Sequence, residues 1–247
     1  MPAARLDGAP WNLRQFDVVG VDAESDQDDQ TRGFVRHVAL AREVIPDLRA
    51  GMTVAVSHMR PPFAHQDECV PNCVGTVNLT EGERTRMRLF IDEIENEYTA
   101  SQRRGWRDQY VIHPHSAVFP GEDGTALFRR FCCVGLVMEA YLVAGVTLVA
   151  HDHVDFPRSP LERLQTAYAP FAQLLTNPRL RSLMGLAGDG PWPVVLAGHL
   201  FHSLARASAE IRRQPYLPTE GDEVYWPIGT VPGGELRIAS GGAAAGG

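Results

Sequence analysis

The chain of 247 residues has no lysine; all 23 of its basic residues are arginine. A Walker-type phosphate loop, a Schiff base to a carbonyl substrate and a kinase phosphate-binding lysine all need an ammonium group, so those chemistries are excluded. Cysteine is scarce as well. The four thiols, Cys69, Cys73, Cys132 and Cys133, are too few for a disulfide scaffold at this length, and the adjacent pair is poorly placed to bridge itself. Reduced thiols and a cytoplasmic setting are the expectation. No apolar run approaches the ~18 to 20 residues needed to cross a bilayer, and the first ten residues lack a signal core. The net charge of −7 argues against a nucleic-acid surface, and the short arginine groups Arg84, Arg86, Arg88 and Arg103, Arg104, Arg107 read as a solvated, ion-paired face, so neither a membrane nor a nucleic acid is expected as a partner.

A coarse pattern of elements is present. Residues 17–21 and 52–57 read as strands, residues 34–45 have helical apolar spacing, residues 60–72 read as a loop, and residues 74–79 are a further candidate strand. Thr80 and Glu83 match a capping box, which predicts a long helix over 81–102 with Met87, Phe90, Ile91, Ile94 and Tyr98 as its apolar stripe. Residues 117–119 read as extended. Residues 126–144 are apolar on nearly every side and close at Gly145, as a buried helix does. Helices are expected again over 161–175 and 194–213. One α+β domain over 1–239 is predicted, with a Gly/Ala tail at 240–247; residues 1–110 carry no chemical motif and are read as an extension controlling access.

Chemistry concentrates at Arg129, Arg130, Phe131, Cys132 and Cys133, where the buried helix is expected to begin. A thiol in the first turn of a helix feels the positive end of the macrodipole, and two upstream guanidiniums would add to that field. Either Cys132 or Cys133 would then be a low-pKa nucleophile. The string from Cys133, CVGLVMEAYLVAGVTL, resembles the nucleophile helix of the NlpC-type peptidoglycan endopeptidases, a papain-like group. Pro157, Arg158 and Ser159 with Gln165 resemble a second family segment. Leu217, Pro218, Gly221, Asp222, Val224, Tyr225, Trp226 and Pro227 resemble its glycine-aspartate strand entry. The resemblance implies a papain-like α+β fold, with the cysteine-bearing helix buried against a small antiparallel sheet and additional helices around it. It implies a cysteine-dependent hydrolase or acyltransferase acting on a peptide or acyl-amide substrate, with no cofactor.

In that family a histidine opens the strand after the glycine-aspartate segment and acts as base, yet residues 228–247 contain none. Permuted relatives place the histidine strand before the cysteine helix. His115, followed by Ser116, Ala117, Val118 and Phe119, is similar to such a strand and is the leading base candidate, with His113, His199 and His202 as alternatives. The implied mechanism is attack of the Cys133 thiolate on a carbonyl, with His115 moving protons and helix-start N–H groups stabilising the oxyanion. A non-catalytic scaffold used for binding is the alternative that the absent histidine favours. Two metal readings stand beside these. His151, His153 and Asp155 have the spacing of a zinc hydrolase site, and His65, Cys69 and Cys73, joined by His58, could form a structural one.

Overall fold

The computed structural model describes residues 3–6, 9–22, 35–60, 63–100, 109–113, 115–120 and 127–223. Residues 23–34, the Val224 to Pro227 part of the family-like segment and the C-terminal tail lie outside them. Eight strands come first: β1 (Ala4–Arg5), β2 (Trp11–Leu13), β3 (Val18–Asp22), β4 (Val35–Ala41), β5 (Ile45–Leu48), β6 (Val54–Met59), β7 (Phe63–Cys69) and β8 (Cys73–Gly75). Six of them form one antiparallel sheet in the order β1-β8-β3-β4-β6-β7, while β2 and β5 pair separately. The molecule is thus mixed α and β with small antiparallel sheets. Residues 4–75 supply the six-stranded sheet itself.

Helix α1 (Glu81–Ala100) begins as its capping box requires. The Thr80 N–H donates to Glu83 Oε2 at 2.6 Å and the Glu83 N–H to Thr80 Oγ1 at 3.3 Å. All five residues of its predicted stripe are buried. The hairpin of β9 (Ser116–Pro120) and β10 (Leu127–Phe131) leads into α2 (Cys133–Val143). Helix α2 packs on β4, β6 and α1. It buries Val134, Leu136, Val137, Met138 and Tyr141, each worth about 1.5–3 kcal/mol of transfer free energy for a large side chain. The α1 side chain Arg86 donates from Nε and Nη2 to the Val143 and Ala144 carbonyls, 3.1 and 2.9 Å away, closing the C-terminus of α2. Short helices complete the chain: α3 (Leu161–Ala167), α4 (Ala172–Thr176), α5 (Pro178–Leu183), α6 (Ala197–Leu204) and α7 (Ser208–Arg213).

Several sequence expectations are corrected. Residues 35–45, the described part of the expected helix, do not form one; within them β4 runs from Val35 to Ala41, covered on both faces. Val38 and Leu40 belong to the core under α2, and Ala39 and Ala41 to a second core under β2 and β5. A strand buried on both sides loses its alternation and mimics a helical run. The loop expected over 60–72 contains β7, and the helix expected from residue 126 begins only at Cys133 because 127–131 is strand β10. The stretches 161–175 and 194–213 each break into shorter helices.

Candidate functional site

The start of α2 uses one thiol as a cap. Cys132 has extended backbone (φ −89°, ψ 178°) and its sulfur accepts the Gly135 N–H at 3.3 Å, the part usually played by serine or aspartate. Gly135 is required here: a Cβ would sit 1.5 Å from the His115 carbonyl oxygen. That close approach lays the entrance of β9 across the first turns of α2.

Cys133 is buried at 6% exposure. Its expected low pKa is reversed. Burial pushes the thiol up to about 12, with the neighbouring Cys132 adding to the effect and the N–H groups of Val38, Val134 and Cys133 opposing it. The expectation relied on two guanidiniums that lie in β10 and are engaged elsewhere. Arg129 pairs with Glu93 and Glu97 of α1 at 3.1 and 3.2 Å, and Arg130 donates to the Tyr110 and Leu183 carbonyls at 2.6 and 3.2 Å. A helix-terminus field worth about 0.3–1 kcal/mol cannot offset full desolvation of a thiolate. Cys133 is one of the residues that line a small cleft, with Val35, Arg36, Tyr168, Leu196 and Ala197 among the others.

His115 is not brought to that sulfur by any hydrogen bond among the described residues. Its Nε2 faces Glu139 Oε1 at 3.3 Å, and its ring packs on His151 with centroids 3.8 Å apart. Glu139 is held below its usual range, first by His115, against burial, and then by the Ser116 hydroxyl. His113 packs against Gly185. His199 Nδ1 accepts the Leu196 N–H at 3.2 Å, and burial lowers its pKa to about 4. His202 stacks on Tyr216 and lies 3.8 Å from an Asp222 oxygen.

The two metal readings fare differently from their spacing. His151 turns to His115 and Asp152, while His153 Nδ1 lies 3.7 Å from its own neighbour Asp155 in an exposed turn. Cys69 ends β7 beside the second core, whereas Cys73 begins β8 and pairs with Arg5 and Gly20, so the two thiols serve different parts of the sheet. The His65 side chain lies outside the described residues. Among the described residues, no group of three or more His, Cys, Asp and Glu is placed to hold a metal.

One constellation escaped the sequence. His37 Nε2 and His58 Nδ1 are 2.7 Å apart, and His58 Nε2 is 3.1 Å from Asp67 Oδ2. A carboxylate only accepts, so His58 donates its Nε2–H to Asp67 and receives the Nε2–H of His37 at Nδ1. The remaining nitrogen, His37 Nδ1, carries the lone pair. The chain crosses three adjacent strands, β4, β6 and β7. It occupies the face that bears Ala39 and Val56, because side chains alternate along β4 and His37 precedes Val38. Cys133 lies on the other face of β4, in the same core as Val38. His37, Val38, Ala39, Leu40 and Ala41 repeat the histidine-then-small-and-branched pattern read at 115–119, and reading 34–45 as a helix concealed it.

No protein-family model matches this chain, no curated protein matches it, and no solved structure matches it.

Proposed function

We propose that the chain is a cysteine-dependent hydrolase or acyltransferase of amide bonds on a papain-like scaffold in permuted order, with Cys133 as nucleophile and His37, not His115, as base. The observation that carries this reading is the Asp67–His58–His37 chain, two of whose strands, β4 and β6, pack against the cysteine helix, with Cys133 in the core beside Val38, the residue after His37. A carboxylate that orients one imidazole, which orients another, is the arrangement that fixes a base by its tautomer. The order, histidine strand before cysteine helix, is the one that the resemblance to permuted relatives implies.

With both groups buried, the thiol keeps its proton. His37 is pushed down to about 3 and Cys133 up to about 12, and burial is the largest cause of both shifts. Admitting water relaxes both values together. Attack further requires the first residues of β4 to turn His37 toward α2. The register shift between β3 and β4, where Val21 faces His37 and Asp22 faces Val35, lies at that point, and β-bulges re-aim side chains next to active sites. A sulfur attacking a carbonyl would pass its proton to His37 Nδ1, which returns it to the leaving amine; water then releases the acyl group.

A second reading, a non-catalytic scaffold serving as a binding module, is favoured by the placement of sulfur and imidazole on opposite faces of β4. Iodoacetamide with peptide mapping separates the two. The catalytic reading expects labelling of Cys133 in the native protein at neutral pH, slowed at least tenfold in His37→Ala. Labelling of Cys133 only after denaturation supports the scaffold.

A further inference from the structure

Two other imidazoles lie against each other with their own hydrogen bonding incomplete. His115 enters β9 and His151 lies in the turn beyond α2, with ring centroids 3.8 Å apart and planes at 57°. His115 Nε2 is 3.3 Å from Glu139 Oε1, an oxygen that also accepts the Ser116 hydroxyl at 2.7 Å. His151 Nε2 is 3.1 Å from Asp152 Oδ1. His115 thus uses its Nε2 on a carboxylate, and His151 has its Nε2 beside an exposed one. In each, Nδ1 is buried with no hydrogen-bond partner among the described residues.

A buried polar atom left unpaired costs about 1–3 kcal/mol, and here two lie in adjoining rings. A carboxylate behind one imidazole nitrogen fixes the tautomer, turns the other nitrogen into a lone-pair donor and raises its basicity, as metal-binding histidines require. Glu139 supplies that support to His115, with the Ser116 hydroxyl holding its carboxylate in place, and the exposed Asp152 stands at ion-pair distance from His151 Nε2.

The geometry points to a metal site in which His115 Nδ1 and His151 Nδ1 are the protein ligands of a divalent transition-metal ion of the zinc class, with Glu139 and Asp152 behind them. Imidazole nitrogen suits zinc, copper and nickel rather than magnesium or calcium. No third protein donor stands among the described residues, so water completes the shell and the site is an open one. Metal–nitrogen bonds of about 2.0–2.1 Å hold two ring centres farther apart than 3.8 Å. Loading therefore moves the turn that carries His151 outward. His153 and Asp155, exposed on that turn, are not ligands. The inference does not depend on the catalytic reading of Cys133.

The test is calorimetric titration of the full, metal-stripped chain with zinc alone, checked by competition with a chromogenic chelator. Stoichiometric uptake is expected in the wild type and in His153→Ala. Uptake is expected to be lost in His115→Ala and in His151→Ala, and affinity to fall by about 10–100-fold in Glu139→Gln. His151 lies on a turn, so its variant keeps the readout free of core damage; its melting curve without zinc should match that of the wild type. Absence of stoichiometric uptake by the wild type, uptake unchanged in His151→Ala, or loss in His153→Ala would each overturn the site.

Discussion

The Nε2 of His37 and the Nδ1 of His58 lie 2.7 Å apart, so the two rings share a single proton between them and Asp67 sets its direction. Both imidazoles are pushed below the ordinary histidine value, chiefly by burial, and a second charge beside the first is unfavourable. The pair is neutral at pH 7.

Acid should therefore unfold the protein through these rings. The unfolded chain takes up a proton near pH 6.5, whereas folded His37 resists it until about 3. The unfolded state binds more protons throughout that window. Stability is complete above pH 6.5 and falls as the pH drops toward 3, by up to about 1.4 kcal/mol per pH unit for each such ring. Melting temperatures measured from pH 7.5 to 4.5 should decline, and His37→Leu should flatten part of the slope. An unaltered slope in that variant would remove His37 as a source of the acid sensitivity.

The start of α1 ties distant segments together. Glu83 caps Thr80 and also receives Arg212 of α7, whose Nη1 and Nη2 lie 2.7 and 2.8 Å from its two oxygens. Thr80→Ala should cost about 1 kcal/mol as a lost cap. Glu83→Ala should cost more, since it removes the cap and leaves the Arg212 fork without its carboxylate. Urea denaturation of the two variants gives the order directly.

Cys132 and Gly135 make a paired prediction about the helix that carries Cys133. Removing the sulfur that accepts the Gly135 N–H, in Cys132→Ala, should destabilise by about 0.5–2 kcal/mol, while Cys132→Ser keeps an acceptor and should lose less. Gly135→Ala drives a methyl into the His115 carbonyl. It should cost at least about 1–3 kcal/mol, as overpacking does, and loosen β9 from α2, readable as faster amide exchange at Ser116 and Ala117.

The capping box at Thr80 and Glu83 and the stripe from Met87 to Tyr98 were readable because exposed helices keep their period and their end chemistry. Strand β4 was not, since two cores cover it and Val38 and Ala39 are equally apolar. The same burial misled the chemistry at Cys133. Sequence places Arg129 and Arg130 next to the thiol, but a strand directs them to Glu93, Glu97 and the Tyr110 carbonyl instead. Asp67 and His58 are nine residues apart and His37 lies further off still; only the pairing of β4, β6 and β7 makes them one unit.

The most direct test of the central claim is to acylate the protein with p-nitrophenyl acetate at neutral pH, quench, and map the acetylated residue by mass spectrometry in the wild type and in Cys133→Ala, His37→Ala and His115→Ala. The account predicts acetyl-Cys133 in the wild type, none at that position in Cys133→Ala, formation slowed at least ~100-fold in His37→Ala, as the loss of a general base does, and a rate in His115→Ala close to the wild type. Acetylation of Cys133 at the same rate with and without His37, or none at Cys133 in the wild type, would contradict it.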